Sequence, residues 1–228
     1  ADYKWMMGMV EKLFEKIGDW LWRPLEIPKD AKRVLVLPEG ELANIPWQAL
    51  RINGRPLVEK HSFVLSPSLR HFAHAKEIKV NSDEVSVFVG VSVDLPQVRR
   101  ELEVLSKFSE SEVKIMNPSC RHDWPNNKPA KLWHYSGHSY LRSDNPFYSY
   151  LALADGPLFA ADFRLKNSPV ELVTLAACRS GEQVALSGEE ATGLVRSLLE
   201  MGARNVIAGH WPVADESTGY WMNEFYSG

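Results

Sequence analysis

The stretch "VELVTLAACRSGE", residues 170–182, indicates what kind of fold the chain adopts. Its first part is an almost continuous apolar run, rather than an alternation of apolar and polar residues. Such a run predicts a central strand covered by helices on both faces. The strand ends on Cys178, and a glycine-rich turn follows. Reactive groups gather at the carboxyl ends of strands in open α/β sheets, so Cys178 is a candidate reactive residue.

Other short runs, rich in β-branched and aromatic residues and bounded by Gly, Pro, Asn or Asp, also predict strands. They are "RVLVLP" at 33–38, "SFVLSPS" at 62–68, "VSVFVGV" at 85–91, "KLWHYSG" at 131–137, "YLALAD" at 150–155 and "NVIAGHW" at 205–211. Helices are predicted at 97–108 and 189–201. The second has a capping box from Ser187 to Glu190 and ends before Gly202. Strands that alternate with helices predict an α/β fold with a mostly parallel sheet.

Residues 1–28 form a helical lead to this pattern. Trp5, Met9, Leu13 and Ile17 recur at helical spacing with charges between them, which predicts an amphipathic helix ending near Gly18. Packing in the core is the favoured use of these apolar residues, and a partner-binding surface is the alternative. No internal repeat or long linker interrupts the chain, so residues 1–228 are predicted to form a single domain.

Composition narrows the functional classes. The chain has 228 residues, of which 45% are hydrophobic, and a formal net charge of −3 with scattered basic residues. This balance does not favour nucleic acid as a direct partner. No window is apolar enough to cross a membrane, and the charged residues near the start argue against a secretory leader. A cytoplasmic protein is therefore expected, and its two cysteines are not expected to form a structural disulfide.

Two predicted strands end close to groups that suit nucleophilic catalysis. "KLWHYSG" is followed by His138, and "VELVTLAA" is followed by Cys178. An imidazole beside a thiol can lower the thiol pKa, accept its proton and later protonate a leaving group. From spacing alone, an inert buried thiol is an equally good interpretation of Cys178. Cys120 lies in the polar loop 117–129 and is given no catalytic role.

The pair His134 and His138 raises the question of a metal site. Two histidines four residues apart share one face of a helix and can bind zinc, although the β-rich run and Ser136-Gly137 argue for a strand end instead. Without a third ligand at an obvious spacing, a metal site is the less favoured interpretation. Neither a metal nor an organic cofactor is expected.

These residues together resemble a known family. "RVLVLPEGELANIPWQAL", "WHYSGHS", "LALADG", "LVTLAACRSGE" and "GARNVIAGHWPVADEST" are similar to the CHAT domain, a caspase-like cysteine peptidase domain often joined to tetratricopeptide repeats. The resemblance implies a caspase–hemoglobinase-like three-layer sandwich with a mostly parallel twisted sheet. It also implies that Cys178 is the nucleophile and His138 the general base, with His134 a supporting residue of its strand.

By analogy with that fold, the oxyanion donors are the backbone N–H of Cys178 and of a residue adjoining His138, either Ser139 or Gly137. Many relatives carry Gly directly after the catalytic His, where this chain carries Ser139. Trp211 and Asp215 fit the family's "WPVxD" motif. The candidates for the substrate cleft, taken together, are Asp215, Trp211 and Asp155. Asp215 as a helix cap is an equal alternative.

The resemblance implies a cysteine endopeptidase that acts on protein substrates. It further suggests gating by a fused or bound repeat or sensor module in a signalling or defence pathway. Family members usually continue past "FY" into further helices, so the ending "FYSG" suggests truncation at the C-terminus. A catalytically inert interaction module and an acyl hydrolase or transferase are the alternatives.

Overall fold

The structure, a computed structural model, describes eight ranges of the chain: residues 2–80, 86–91, 98–107, 113–124, 129–177, 180–182, 192–211 and 215–227. The chain divides into two compact units. One combines Ala1–Pro38 with Leu42–Ser66, and the other combines Glu39–Glu41 with Pro67–Gly228. The expected single domain stays a prediction, and each unit is described by itself.

The first unit is built on one long helix, a parallel strand pair and a small hairpin. Helix α1 spans Asp2–Leu21, β1 (Arg33–Val36) pairs in parallel with β4 (Ser62–Leu65), and β2 (Arg51–Ile52) pairs with β3 (Arg55–Pro56). Strands β1 and β4 lie where the sequence predicts them. The buried centre of this unit consists of Trp22, Trp47, Leu50 and Leu57.

Helix α1 departs from the prediction at its end, because it continues through Gly18 to Leu21. A glycine near the end of an apolar pattern is typical of a helix stop, but Gly18 serves close packing instead. A Cβ placed on Gly18 would overlap the carbonyl oxygen of Arg51. The missing side chain therefore lets the helix backbone approach β2 closely.

Most of the predicted apolar face of α1 is exposed. Trp5, Met9 and Leu13 are 67%, 53% and 52% exposed, and of the four predicted positions only Ile17 packs against the core of the unit. The favoured prediction, that these residues pack in the core, is wrong for the first three. An amphipathic pattern marks which residues share a face, but it does not say whether that face is covered.

Gly18→Ala should destabilise the protein, because the new methyl group meets backbone rather than a movable side chain. Overpacking of this kind costs about 1–3 kcal/mol, more than the gain of about 1 kcal/mol in helix propensity. Gly8→Ala is the matched control, since a Cβ on Gly8 meets nothing within 4 Å. Thermal unfolding should show a lower midpoint for Gly18→Ala and an unchanged or higher one for Gly8→Ala. Equal midpoints would contradict the packing argument.

The second unit contains a five-stranded sheet and a smaller three-stranded one. Its strands are β5 (Ser86–Val91), β6 (Val113–Met116), β7 (Ala130–Ser136), β8 (Ser139–Tyr140), β9 (Tyr150–Leu153), β10 (Gly156–Phe159), β11 (Val170–Ala176) and β12 (Ala203–Ala208). The large sheet has the order β12-β11-β7-β5-β6, and every neighbouring pair is parallel. The small sheet has the order β10-β9-β8 and is antiparallel.

Helices cover both faces of the large sheet. They are α2 (Leu69–Glu77), α3 (Val98–Lys107), α4 (Ala160–Arg164), α5 (Leu194–Met201) and α6 (Asp215–Ser227). On one face, Val89 and Leu132 pack with Leu105 of α3 and Met222 of α6. On the opposite face, the strand residues Trp133, Tyr135 and Leu175 pack with Phe163 of α4 and Leu198 of α5. The predicted three-layer α/β sandwich with a mostly parallel sheet is confirmed.

Of the two helices predicted in this unit, one matches the structure and the other begins later than predicted. The prediction of a helix at 97–108 is matched by α3, Val98–Lys107. The prediction of a helix at 189–201 begins too early, because Thr192 and Gly193 are not helical and α5 begins at Leu194. Its capping box lies outside the described residues. Among the described residues, no helix combines the length and apolar character needed to cross a bilayer.

Candidate active site

The candidate site lies where β7 and β11 end side by side. The two strands pair in parallel, with Ser136 opposite Ala176, and the Gly137 N–H donates to the Ala176 carbonyl at 3.3 Å. His138 comes two residues after Ser136, and Cys178 comes two residues after Ala176. His138 and Cys178 therefore follow paired strand residues at the same distance along the chain. Cys178 itself lies outside the described residues.

The side chain of His138 is exposed, while its backbone is fixed. The Ala152 N–H donates to the His138 carbonyl at 2.9 Å. The buried Tyr135 hydroxyl lies 2.9 Å from the same carbonyl and 2.7 Å from that of Ala152, and it donates its single proton to one of them at a time. The hairpin of β9 and β10 therefore holds the His138 backbone in place and leaves the ring open to solvent.

The two predicted oxyanion donors beside His138 differ in their surroundings. The Gly137 N–H is engaged with the Ala176 carbonyl of the neighbouring strand. Ser139 lies in β8 opposite Leu151. The hydrogen bond between β8 and β9 at this point runs from the Ala152 N–H to the His138 carbonyl. The neighbouring pair, Ser139 and Leu151, is therefore a non-hydrogen-bonded pair, and the N–H groups of both residues point away from the partner strand. The Ser139 N–H therefore does not bond to β9, whereas the Gly137 N–H bonds to β11.

The turn after Cys178 is tied to the neighbouring strand β12. Ser180 is fully buried, and its Oγ lies 2.8 Å from the Ala177 carbonyl and accepts from the Gly209 N–H at 3.2 Å. The Gly181 N–H donates to the Gly209 carbonyl at 2.8 Å. A Cβ on Gly181 would come within 3.2 Å of Ala208 and Gly209, so a small residue suits this close approach. The chain is thus anchored on both sides of position 178.

His134 belongs to a buried hydrogen-bonding network. Its Nδ1 lies 2.8 Å from Thr174 Oγ1 and 3.0 Å from the Tyr226 hydroxyl, and its Nε2 lies 3.1 Å from both Glu101 Oε2 and Ser136 Oγ. Ser136 also donates to Glu101. All five side chains are less than one-tenth exposed. His134 therefore has a full set of partners inside the protein, whereas His138 is exposed to solvent.

The network joins the central strands to the two helices on that face. Burial raises the pKa of Tyr226 far above its ordinary value, with Glu101 adding to the effect and Thr174 opposing it, so the hydroxyl remains neutral. The sequence analysis missed Glu101, Thr174 and Tyr226 as partners. A threonine within an apolar central strand was the available signal, because a buried polar group must find a partner.

Tyr226→Phe should lower the free energy of unfolding, because Thr174 and His134 each lose a partner inside the core. Leaving such buried groups with fewer hydrogen bonds costs about 1–2 kcal/mol. Tyr220→Phe is the matched control, since Tyr220 lies on the same helix and is 69% exposed. Urea unfolding should separate the two variants. A Tyr226→Phe protein as stable as the control would show that the network contributes no net stability.

The three residues predicted for the substrate cleft are placed differently. Trp211 is 46% exposed and follows β12, with its ring 6.3 Å from that of His210. Asp215 is the first residue of α6, and its side chain lies outside what the structure describes. Asp155 lies in the turn between β9 and β10, where its Oδ1 accepts from the Arg121 N–H at 2.7 Å. This bond joins Asp155 to the loop after β6.

His210 is a residue at this end of the sheet that the sequence analysis did not single out. It follows β12 after Gly209, and burial lowers its pKa, against an opposing effect from Glu182. Its Nδ1 is buried, and no hydrogen-bond partner for it is found among the described residues. An imidazole held neutral in this way can donate or accept one hydrogen bond. The sequence signal was its place at the end of a predicted strand.

The second cysteine also has reactive neighbours. Cys120, His122 and Asp155 bring a sulfur, a ring nitrogen and a carboxylate oxygen within 4.8 Å of one another. Partial burial, followed by the charges of Asp155 and Asp123, raises the pKa of the Cys120 thiol. A nucleophilic cysteine needs the opposite shift. Cys120 is therefore a poor nucleophile, which agrees with the sequence analysis, where Cys120 was given no catalytic role.

A parallel sheet sandwiched between helices, with reactive side chains following its central strands, is the architecture of the caspase-like α/β proteins. The family model of the CHAT domain matches residues 11–228. The chain therefore belongs to the CHAT domain family, which confirms the resemblance noted from its sequence. A search of curated proteins found no significant match.

Proposed function

We propose that the protein is a cysteine endopeptidase in which Cys178 is the nucleophile and His138 the general base. The observation that carries the proposal is the register of β7 and β11. With Ser136 opposite Ala176, two adjacent strands lead to these residues over the same number of positions. Membership of the caspase-like CHAT family supports the same pair. No metal or organic cofactor takes part in the proposed reaction.

The reaction proceeds by acyl transfer through a thioester. His138 takes the Cys178 proton, the thiolate attacks the peptide carbonyl carbon, and the imidazolium returns the proton to the leaving amine. Water then hydrolyses the thioester and regenerates the thiol. A free thiol has a pKa of about 8.5, and each unit of lowering corresponds to about 1.4 kcal/mol and raises the small thiolate fraction at neutral pH nearly tenfold. The neighbouring imidazole supplies this lowering.

The oxyanion of the tetrahedral intermediate is stabilised by backbone donors. Ser139 supplies one N–H, because its position opposite Leu151 directs that group away from β9. Cys178 supplies the other. Two bonds support this assignment, because they anchor the chain just after the nucleophile: the Gly209 N–H donates to Ser180 Oγ, and the Gly181 N–H donates to the Gly209 carbonyl. Preorganised donors of this kind stabilise developing charge at little reorganisation cost.

The substrate approaches over the residues that follow β12. Trp211 offers an exposed aromatic surface, and Asp215 offers a carboxylate that favours a basic or neutral residue before the cleaved bond. Asp155 contributes less, because its Oδ1 is engaged by Arg121. The proposed substrate is a protein chain.

A fused or bound repeat or sensor module gates the activity in a cytoplasmic signalling or defence pathway. The exposed apolar residues of α1 support a docking role for the helix: Trp5, Met6, Met9, Val10 and Leu13 are each at least 42% exposed. Clusters of this kind are typical of interaction surfaces. The regulatory module is thus expected to contact α1.

Two other functions remain as alternatives. The fold can serve as an interaction module with an inert Cys178, in which case Cys178→Ala leaves every cellular phenotype intact. The same dyad can instead act on a thioester or ester as an acyl hydrolase or transferase. A panel of thioester and peptide substrates separates this possibility, since a dedicated acyltransferase ignores peptides.

Cys178→Ala and His138→Ala should each abolish proteolysis in a whole-proteome digest analysed by mapping new peptide N-termini. His138→Ala removes the proton acceptor and Cys178→Ala the attacking atom, so both should fall to background. His74→Ala is the matched control, because its ring is 65% exposed on α2. New N-termini made by the wild type and the control alone are expected. Their absence with any natural flanking domains present, or their persistence in Cys178→Ala, would contradict the proposal.

A further inference from the structure

The cluster of Cys120, His122 and Asp155 has the composition of a transition-metal site. Its sulfur, nitrogen and oxygen atoms all lie within 4.8 Å of one another, although Asp155 is far from the other two in sequence. We propose that these three side chains bind a zinc ion. This site uses neither Cys178 nor His138, and the sequence analysis, which expected no metal, did not find it.

Hydrogen bonds bring the two segments of the cluster together. The Ala154 N–H donates to the Ser119 carbonyl at 2.9 Å, and the Arg121 N–H donates to Asp155 Oδ1 at 2.7 Å. The Cys120 N–H donates to Asp123 Oδ2 at 2.9 Å. Cys120 and Asp155 are therefore held on anchored backbone, and the second carboxylate oxygen of Asp155 can act as a ligand. Such preorganisation lowers the cost of binding.

The geometry requires only a small adjustment. With Zn–S near 2.3 Å and Zn–N and Zn–O near 2.0–2.2 Å, tetrahedral ligands lie roughly 3.3–3.8 Å apart. Since the present separations are at most 4.8 Å, closing them takes about 1.5 Å or less. His122 is 80% exposed, so its ring is able to rotate toward the other two groups. Asp123, with Oδ1 3.7 Å from His122 Nε2, is placed to orient that ring.

The donor set selects the metal. A thiolate and an imidazole favour zinc over magnesium or calcium, which prefer oxygen ligands. Zinc binding replaces the thiol proton of Cys120, which is released to solvent. Arg121, a cationic side chain between Cys120 and His122, has its guanidinium 3.7 Å from Asp162. Three protein ligands leave a fourth position for water or another group.

The site connects to the candidate active site through the hairpin. Asp155 follows β9, and the Ala152 N–H of the same strand holds the His138 carbonyl at 2.9 Å. A zinc ion that joins Asp155 to the 120–122 loop therefore restrains the hairpin on which His138 rests. Metal binding is expected to stabilise this part of the fold.

Cobalt(II) is the probe for the test, because a cysteine thiolate bound to cobalt gives a charge-transfer absorption that oxygen and nitrogen ligands do not. Titration of the whole chain should give this band with one cobalt per chain and competition by zinc. The band should persist in Cys178→Ala and His74→Ala, and it should vanish in Cys120→Ser. His122→Ala and Asp155→Asn should weaken cobalt binding at least tenfold, as expected for the loss of one ligand of three.

Thermal unfolding supplies a second measurement that does not depend on the band. Zinc should raise the midpoint of the wild type and of Cys178→Ala, and leave that of Cys120→Ser unchanged. Without metal, Cys120→Ser should unfold at the wild-type midpoint, which shows that it is folded. The proposal is overturned if cobalt at one equivalent gives no charge-transfer band, if the band follows Cys178 instead of Cys120, or if zinc shifts Cys120→Ser as much as the wild type.

Discussion

The parallel pairing of β7 with β11 is the constraint on which the rest of the molecule depends. Its register, from Val170 opposite Ala130 to Ala176 opposite Ser136, sets which residues leave the sheet side by side. Because side chains alternate along a strand, the same register sends Tyr135 and Leu175 to one helical layer and His134 and Thr174 to the other. A slip of one residue would exchange the two faces and separate the two chain exits.

The buried network of Glu101, His134, Ser136, Thr174 and Tyr226 matches this register. A carboxylate that is only 2% exposed loses much hydration on folding, and the imidazole and hydroxyl groups around it compensate only when they are correctly placed. Shifted pairings of β7 and β11 would leave these groups without partners. Of these pairings, the observed register is the one that gives the buried groups of the network their partners.

Sequence patterns predicted the part of the fold that depends on continuous apolar runs. The central strands were found because burial on two faces requires a continuous apolar run. Helix α3 was found because burial on one face requires apolar residues at helical spacing. Strands β6, β8 and β10 were missed because they are short and lie at a sheet edge or in a small hairpin. Gly18 was misread because close packing and helix termination both call for glycine. Trp5 and Met9 were wrongly predicted to be buried, because helical spacing does not show whether another element covers the apolar face of a helix. The Cys120 cluster could not be foreseen, since Asp155 joins it only through the tertiary fold.

The measurement that tests the central claim most directly is the alkylation rate of each cysteine, followed by mass spectrometry in the wild type and in His138→Gln. The account predicts that Cys178 reacts faster than Cys120 at neutral pH and slows about tenfold for each unit by which its pKa rises in His138→Gln. Cys120, whose pKa is raised by burial and by Asp155, serves as the internal reference and should be unaffected. A Cys178 that reacts no faster than Cys120, or that reacts equally fast without His138, would contradict the pairing of the two residues.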